Sequence, residues 1–358
     1  MKILCVIDSL GSGGAQRQLV NLAISFKKNG HDVDFLIYYN DDFYSDILNK
    51  NDINIISIFE ENYIKRILKI RSHIRSSKYQ SIVSFLETPS LLCVLAGFPS
   101  KNWKLIIGER SADPKILSSK KLKFYRLFHF FADEVVANSF ENIEMVKKVN
   151  PFLIDSKCHV IYNSVNFNHW NPKKQNYEFR ENNKLNIIVA ARHHHLKNLN
   201  ILIEAINLLN ENQRNQLNIK WYGREEDDSL QQGLMKIKKY KLEQVFNFFE
   251  PIHNIYDEVN KADVVGLFSF YEGLPNTVCE AMINAKVVIS SDVSDIKRLV
   301  DKDFIFNAND QERLRDVLVY ILNMNKFDFE RIGNKNREIA LELFDENNIC
   351  NSYLSLMD

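Results

Sequence analysis

The sequence predicts an α/β protein made of two doubly wound parallel-sheet domains in series. Three observations carry that prediction. From Lys2 to Ile161, short β-type apolar runs alternate with segments whose apolar residues recur at helical spacing. A polar, Asn-rich stretch at 163–183 (NSVNFNHWNPKKQNYEFRENN) interrupts the alternation. The alternation then resumes at Leu185.

The first apolar run, at 2–7, is a strand. The loop Gly11-Ser12-Gly13-Gly14 follows, then a helix bearing Leu19, Val20, Leu22, Ala23 and Phe26 that stops at Asn29-Gly30. A strand at 33–38 completes a β-loop-α-β unit, the building block of a parallel sheet. Strands at 53–58, 81–85, 105–108, 134–137 and 158–161 alternate with helices at 64–76, 91–97, 121–131 and 143–149. The polar stretch is the expected interdomain connection. Beyond it, strands at 185–190, 219–222, 245–248, 264–267 and 287–290 alternate with helices at 199–209, 229–239, 255–260 and 276–284, and helices from Gln311 onward finish the chain. Ligands of such sheets bind outside the carboxyl ends of the strands. Two such domains face to face would place both binding edges in one cleft.

Composition narrows the function. The chain has 358 residues, 45% of them hydrophobic and 26% charged, as in an ordinary globular protein with material for two cores. Lys plus Arg and Asp plus Glu are 46 each, so nothing global points to nucleic acid or an acidic polymer. The five cysteines are scattered and never in C-x-x-C spacing, which predicts free thiols in a reducing compartment. The first ten residues lack the apolar length of a secretory signal. The longest apolar stretch, LLCVLAGF at 91–98, falls short of the roughly 20 residues that span a bilayer. A cytoplasmic protein is expected, with attachment to a membrane surface left open.

The chemistry concentrates in FSFYEGLPNTVCEAMINA, residues 268–285. On one continuous helix Glu272 and Glu280 would be rotated by roughly 80°, off a common face. Gly273 and Pro275 lie between them, so Glu272 is expected in a loop, with a helix starting near Pro275-Asn276. Glu280 then sits about one turn in. A helix start favours an anion such as a diphosphate, and carboxylates beside it suit neutral hydroxyls. After the strand at 185–190, Arg192 and Lys197 put two cations at the carboxyl edge, where they can neutralise a diphosphate.

These residues resemble glycosyltransferase family 4, which has the GT-B fold: two Rossmann-like domains facing a cleft. The family pattern is a Glu-x7-Glu element within EGxPxxxxEAM, preceded by GRxxxxKN. Here it reads Glu272-Gly273-Leu274-Pro275 to Glu280-Ala281-Met282, and Arg192 to Lys197-Asn198. Gly11 to Gln16, Ala137-Asn138-Ser139 and Ile161-Tyr162-Asn163 also fit. Ala191 stands where the family often has Gly, and His193-His194-His195 is unusual there.

The resemblance implies a retaining transferase that moves a sugar from a nucleoside-diphosphate donor, UDP first among the bases, without metal or other cofactor. Arg192 and Lys197 would hold the diphosphate and Glu272 the sugar hydroxyls, and these three form the expected catalytic set. Glu280 would bind the ribose. Gly273, Leu274, Pro275, Asn276 and Thr277 would meet phosphate and sugar, and the segment 250–254 with Ile252 would lie against the base. Gly13 and Gly14 would approach the donor from the other domain, with Gln16, Glu109 and Arg110 on the acceptor side. The expected boundaries are an acceptor-side domain at 1–165, a linker at 166–184, a donor domain at 185–340, and a last helix at 341–358 packing back on the first domain. The expected acceptor is a saccharide, lipid-linked, in the synthesis of surface polysaccharide such as lipopolysaccharide, O-antigen or capsule.

Simpler readings stand beside these. GSGGAQ lacks the dinucleotide fingerprint, and a plain tight turn would also explain it. Three adjacent histidines diverge and do not easily share one ion, so no metal site is expected. His129 is expected to be a packed or surface residue. The basic helix at 64–76 and the basic-aromatic run KKLKFYRLFHFF at 120–131 are either ordinary amphipathic faces or a surface for anionic lipid. Two other functions remain open: a nucleotide-sugar epimerase of the same architecture, which lacks this Glu-x7-Glu setting, and a non-catalytic binding partner.

Overall fold

The computed structural model describes residues 1–173, 178–252 and 254–358. The chain divides into two compact units, Met1–Ser164 with Phe344–Asp358, and Val165–Leu343. Each is a fully parallel sheet with helices against it.

In the first unit the strands are β1 (Lys2–Val6), β2 (Asp32–Ile37), β3 (Asn54–Ser57), β4 (Ser81–Phe85), β5 (Lys104–Glu109), β6 (Glu134–Ala137) and β7 (Cys158–Val160). Their order across the sheet is β3-β2-β1-β4-β5-β6-β7, all parallel. Side chains alternate along a strand, so one strand feeds two cores. Ile3, Cys5 and Ile7 pack on one face with Phe35, Phe26 and Leu19. Leu4 and Val6 pack on the other with Leu36, Ile82 and Leu105. The helix Glu346–Ser355 lies against the helix Gly14–Lys28, burying Ile349, Cys350 and Tyr353 in the first of these cores.

In the second unit the strands are β8 (Leu185–Ala190), β9 (Leu217–Tyr222), β10 (Phe246–Phe249), β11 (Val264–Leu267), β12 (Val287–Ser291) and β13 (Ile305–Phe306). Their order is β10-β9-β8-β11-β12-β13, again all parallel. From Val165 onward the described part of the polar stretch belongs to this unit, whereas Ser164 bonds to Gln18 in the first. Trp170 is buried against Tyr256, whose hydroxyl donates to the Asn171 carbonyl at 2.6 Å. Lys173 and Asn260 exchange backbone and side-chain hydrogen bonds at 2.9 and 3.0 Å. Arg180 caps the carbonyls of Ile321, Leu322 and Met324 at the end of the helix Gln311–Leu322.

Several elements differ from the sequence-based reading. The fourth helix starts earlier, at Glu87, and runs to Gly97. The helix at 121–131 is α-helical over Lys120–Leu127 and then tightens to a 3-10 turn over Phe128–Phe131. The short helix Ser45–Lys50 and the two-residue β13 are too brief for periodicity to show. All five cysteines are free thiols. Among the described residues no helix is long and apolar enough to cross a membrane.

The helix Lys326–Leu343 crosses close to the turn after the helix Asn276–Ile283. A Cβ on Gly333 would strike the backbone carbonyl of Ala285. Replacing a mid-helix glycine by alanine ordinarily gains about 1 kcal/mol. Here the obstacle is backbone that cannot rotate away, so Gly333→Ala should instead lower stability by about 1–3 kcal/mol. Urea unfolding of the two proteins measures this, and an equal or higher midpoint in the variant would contradict the close crossing.

Candidate active site

In the second sheet the strand order reverses between β8 and β11. Connections from these neighbours leave in opposite directions and open a crevice at their carboxyl ends. The loop after β8 carries Arg192 and Lys197, and the loop after β11 carries Glu272.

The β8 loop is held against the loop after β9. His193 N–H donates to the Arg224 carbonyl at 2.8 Å, and Glu226 N–H donates to the His193 carbonyl at 3.0 Å. Glycine at 223 makes this approach possible, since a Cβ there would strike the Ala191 carbonyl. That carbonyl accepts the Trp221 indole N–H at 2.7 Å. Ala191 is absent from the positive-φ positions, so no glycine is required there.

Lys197 and Glu272 meet at the crevice, Nζ to Oε1, at 2.5 Å. The same Oε1 accepts the Ser269 hydroxyl at 2.6 Å, and the Ser291 hydroxyl braces the Ser269 carbonyl at 2.7 Å. Phe270 N–H donates to the Leu196 carbonyl at 2.9 Å and ties the two loops together. The Lys197 and Glu272 side chains are only 20% and 17% exposed, so their attraction is screened less than that of a surface pair. Gly273 and Leu274 continue the loop to Pro275, which occupies the N-cap of the helix Asn276–Ile283 at φ −72°. Asn276 and Thr277 form the first turn, whose N–H groups point out of the helix start. Glu280 is buried one turn in. Arg192 is 55% exposed and lies 2.7 Å from Glu226, which Arg224 also reaches at 2.9 Å. Burial pushes the Glu226 carboxyl up, but the two guanidiniums outweigh it and hold it below the usual range. A lysine, an exposed arginine and a positive helix end suit an anion, and the carboxylates beside them suit hydroxyl groups.

Comparison with known proteins gives the family and the fold. Residues 12–169 match the model of Glycosyltransferase Family 4, and residues 171–338 match that of Glycosyl transferases group 1. The chain belongs to glycosyltransferase family 4. It is 27% identical over 354 residues, 93% of this chain and 92% of the other, to a Campylobacter jejuni enzyme named GalNAc-alpha-(1->4)-GalNAc-alpha-(1->3)-diNAcBac-PP-undecaprenol alpha-1,4-N-acetyl-D-galactosaminyltransferase. Its fold is similar to that of Anabaena HepE solved with UDP, with a TM-score of 0.87, 17% identity and 99% of both chains covered. It is also similar to the lipopolysaccharide outer core galactosyltransferase WaaB, with a TM-score of 0.75, 15% identity, and 100% and 99% of the two chains covered. The fold is GT-B, and the protein is a glycosyltransferase.

In the first unit of this glycosyltransferase, Gly13 caps the helix Gly14–Lys28 with extended backbone. None of Gly11, Gly13 and Gly14 has positive φ, so the turn itself does not demand glycine. Gln16 donates to the Asp8 carboxylate at 3.1 Å, and burial raises the Asp8 pKa despite that bond. Arg110 lies 3.7 Å over the Phe85 ring, hydrogen-bonded to Asn163 and to the Tyr353 hydroxyl.

Glu109 has a structural setting that its position at a strand end did not suggest. It is buried, 2.8 Å from the fully buried guanidinium of Arg126, with His129 Nε2 at 3.4 Å. Glu87 closes the group at 3.1 Å from Arg126. Burial and the Arg126 charge push the His129 pKa down to about 3, so its neutral ring donates to Glu109. The three histidines at 193–195 separate. His193 is buried and stacks on Trp221, whereas His194 and His195 turn to Asp227. Ile252 is 42% exposed in the loop after β10, and His253, within the expected base-contacting segment, lies outside the described residues. Sequence reading overlooked Asp8, Ser269 and the acidic run Glu225-Glu226-Asp227-Asp228. That run, at the end of a predicted strand, was a visible signal.

Arg126→Met should strand the Glu109 carboxylate without its guanidinium partner and cost about 3–5 kcal/mol. His129 contributes a pH dependence of known sign. Its folded-state pKa lies below the unfolded value, so stability declines as pH falls from about 6.5 towards 3. His129→Gln should flatten that part of the curve, measured as denaturation midpoints across pH 4–7, and an unchanged slope would count against a neutral buried ring.

Proposed function

We propose that the enzyme is a retaining hexosyltransferase that uses a nucleoside-diphosphate-sugar, UDP-linked by preference, and extends a lipid-linked saccharide for surface polysaccharide. The observation that carries this reading is the Lys197–Glu272 pair at the β8/β11 crevice, beside the start of the helix Asn276–Ile283. The donor diphosphate draws Lys197 from Glu272 and Arg192 from Glu226, and settles on the helix start near Leu274, Pro275, Asn276 and Thr277. Glu272, so released, receives sugar hydroxyls, and Glu280 receives the ribose diol. Ile252 borders the base. The UDP complexes of HepE, one of them also holding glucose, support the choice of donor.

In the reaction the bond from the anomeric carbon to the diphosphate breaks, and the acceptor oxygen attacks the same carbon from the same face. The acceptor proton passes to the departing phosphate oxygen. Arg192, Lys197 and the helix dipole stabilise the charge that develops there. No metal enters these steps. In the first unit, Gln16 and Arg110 are proposed to serve the acceptor. The undecaprenol-diphosphate substrate named for the Campylobacter jejuni relative supports a lipid-linked acceptor.

A membrane-facing surface fits that acceptor. Phe124, Phe130, Phe131 and Phe152 are 52, 49, 44 and 64% exposed. Their rings form a chain through Phe128 with centroids 4.9–6.4 Å apart, beside exposed Lys115, Lys120 and Lys121. The basic helix Tyr63–Ser76 is less suited. Arg66, Arg71 and Arg75 spend their guanidiniums on carbonyls of Glu60, Leu95, Ala96 and Ser100.

Lys197→Met should lower kcat/KM about 100- to 1,000-fold, with smaller loss for Lys197→Arg. Glu280→Gln should abolish UDP binding by calorimetry, and unchanged affinity would refute its placement. Product NMR with UDP-sugars and an extracted lipid acceptor reads the anomeric outcome, and conversion of donor without acceptor would instead identify an epimerase. Phe124→Ser with Phe130→Ser should cut sedimentation with anionic vesicles several-fold while leaving UDP affinity unchanged. Equal sedimentation would remove the membrane from this account.

A further inference from the structure

The loop between Arg192 and Lys197 carries a second constellation outside the donor chemistry. Asp227, from the acidic run after β9, faces both His194 and His195. His195 Nδ1 is 3.1 Å and His194 Nε2 3.7 Å from Asp227 Oδ2, and one ligand atom of each residue lies within 4.8 Å of the others. In a tetrahedral site with metal–ligand bonds of about 2.0–2.1 Å, neighbouring ligand atoms stand about 3.3–3.4 Å apart. Closing on one ion therefore takes side-chain rotations and a change of tautomer at His194.

His194 Nε2 is turned towards Asp227, but Leu196 N–H donates to its Nδ1 at 3.2 Å, so the ring must give up that bond and move its proton from Nε2 before Nε2 can ligate. The carboxylate is held in place: it accepts the backbone N–H of His195 at 2.8 Å and of Ser229 at 3.0 Å. Supports of this kind orient metal ligands. All three side chains reach solvent, at 28, 66 and 25% exposure, so an ion can enter. Two imidazoles and one carboxylate favour a zinc-class transition ion over magnesium or calcium, and three protein ligands leave positions for water. Three adjacent histidines diverge and do not by themselves share one ion. His193 does turn away, but Asp227 supplies the third ligand from another loop.

We propose that His194, His195 and Asp227 bind a zinc-class divalent cation that clamps the loop carrying Arg192 and Lys197 to the loop after β9. The ion takes no part in glycosyl transfer, and the proposal does not depend on which donor the enzyme uses. Asp227 adjoins Glu226, the partner of Arg192, so the clamp would stiffen the setting of both cations.

The test uses the full chain without a histidine tag, stripped with chelator and then titrated with zinc by calorimetry and with cobalt by visible absorption. One equivalent should bind, with a rise in Tm and the cobalt bands of nitrogen and oxygen ligation. His194→Ala and His195→Asn should each weaken zinc binding at least tenfold, and the double variant should abolish the Tm shift. His169→Ala, at an exposed histidine outside the site, should bind as the parent does. Asp227→Asn removes the carboxylate charge and could loosen the loop by itself, so the decision rests on the histidine variants. Absence of a saturable equivalent, or equal zinc binding by the parent and the double histidine variant, overturns the proposal. Stronger binding of magnesium than of zinc does the same.

Discussion

The second unit is organised by the reversal of strand order between β8 and β11, and the ion pair of Lys197 with Glu272 spans it. Two loops that leave their strands in opposite directions have no reason to stay together. Here they are joined twice in a few residues, by the ion pair and by the Phe270 to Leu196 backbone bond, while Ser269 steadies Glu272 within its own loop. The pair also stores opposite charges where they are most easily redirected. In the proposed donor complex an incoming dianion would offer Lys197 a better partner and leave the carboxylate to Ser269. Binding and assembly of the site would then be one event.

The first unit handles charge differently. Its buried group of Arg126, Glu109 and neutral His129, with half-buried Glu87 at the edge, knits the ends of β4 and β5 to the helix Lys120–Leu127 and the turn after it. Such a group adds little net stability but is costly to break, so it fixes geometry. Its outer surface is the opposite: a run of aromatic rings left in solvent beside lysines, with the neighbouring arginines already committed to carbonyls. Strength inside and adhesiveness outside are segregated by a few residues of one helix.

Much of the architecture was legible because parallel sheets are buried on both faces. Their strands are short continuous apolar runs, and the helices between them carry clear 3.6-residue periodicity. The start of the helix at Asn276 was equally legible, because Gly273 and Pro275 are local signals. Partnerships were not. Glu226 reaches Arg192 and Asp227 reaches His195 across more than thirty residues of sequence, through the parallel register of β8 and β9. The three arginines of the helix Tyr63–Ser76 look like a docking face until their carbonyl partners are seen. Glu109 was expected on the acceptor side from the family resemblance, and only the fold shows the buried guanidinium beside it. Asn-rich polarity marked 163–183 as a connection, yet Trp170 and Arg180 bind it to the second unit.

The helix Glu346–Ser355 shares a core with β1 and with the helix Gly14–Lys28. Residues of β1 thus await residues made some three hundred positions later. Until Tyr353 emerges, the edge of Phe26 lacks its aromatic neighbour and one side of the opening βαβ unit stays wet. The second unit, complete at Leu343, can close on the ribosome before the first has finished, so the order of folding along this chain runs partly against the order of synthesis.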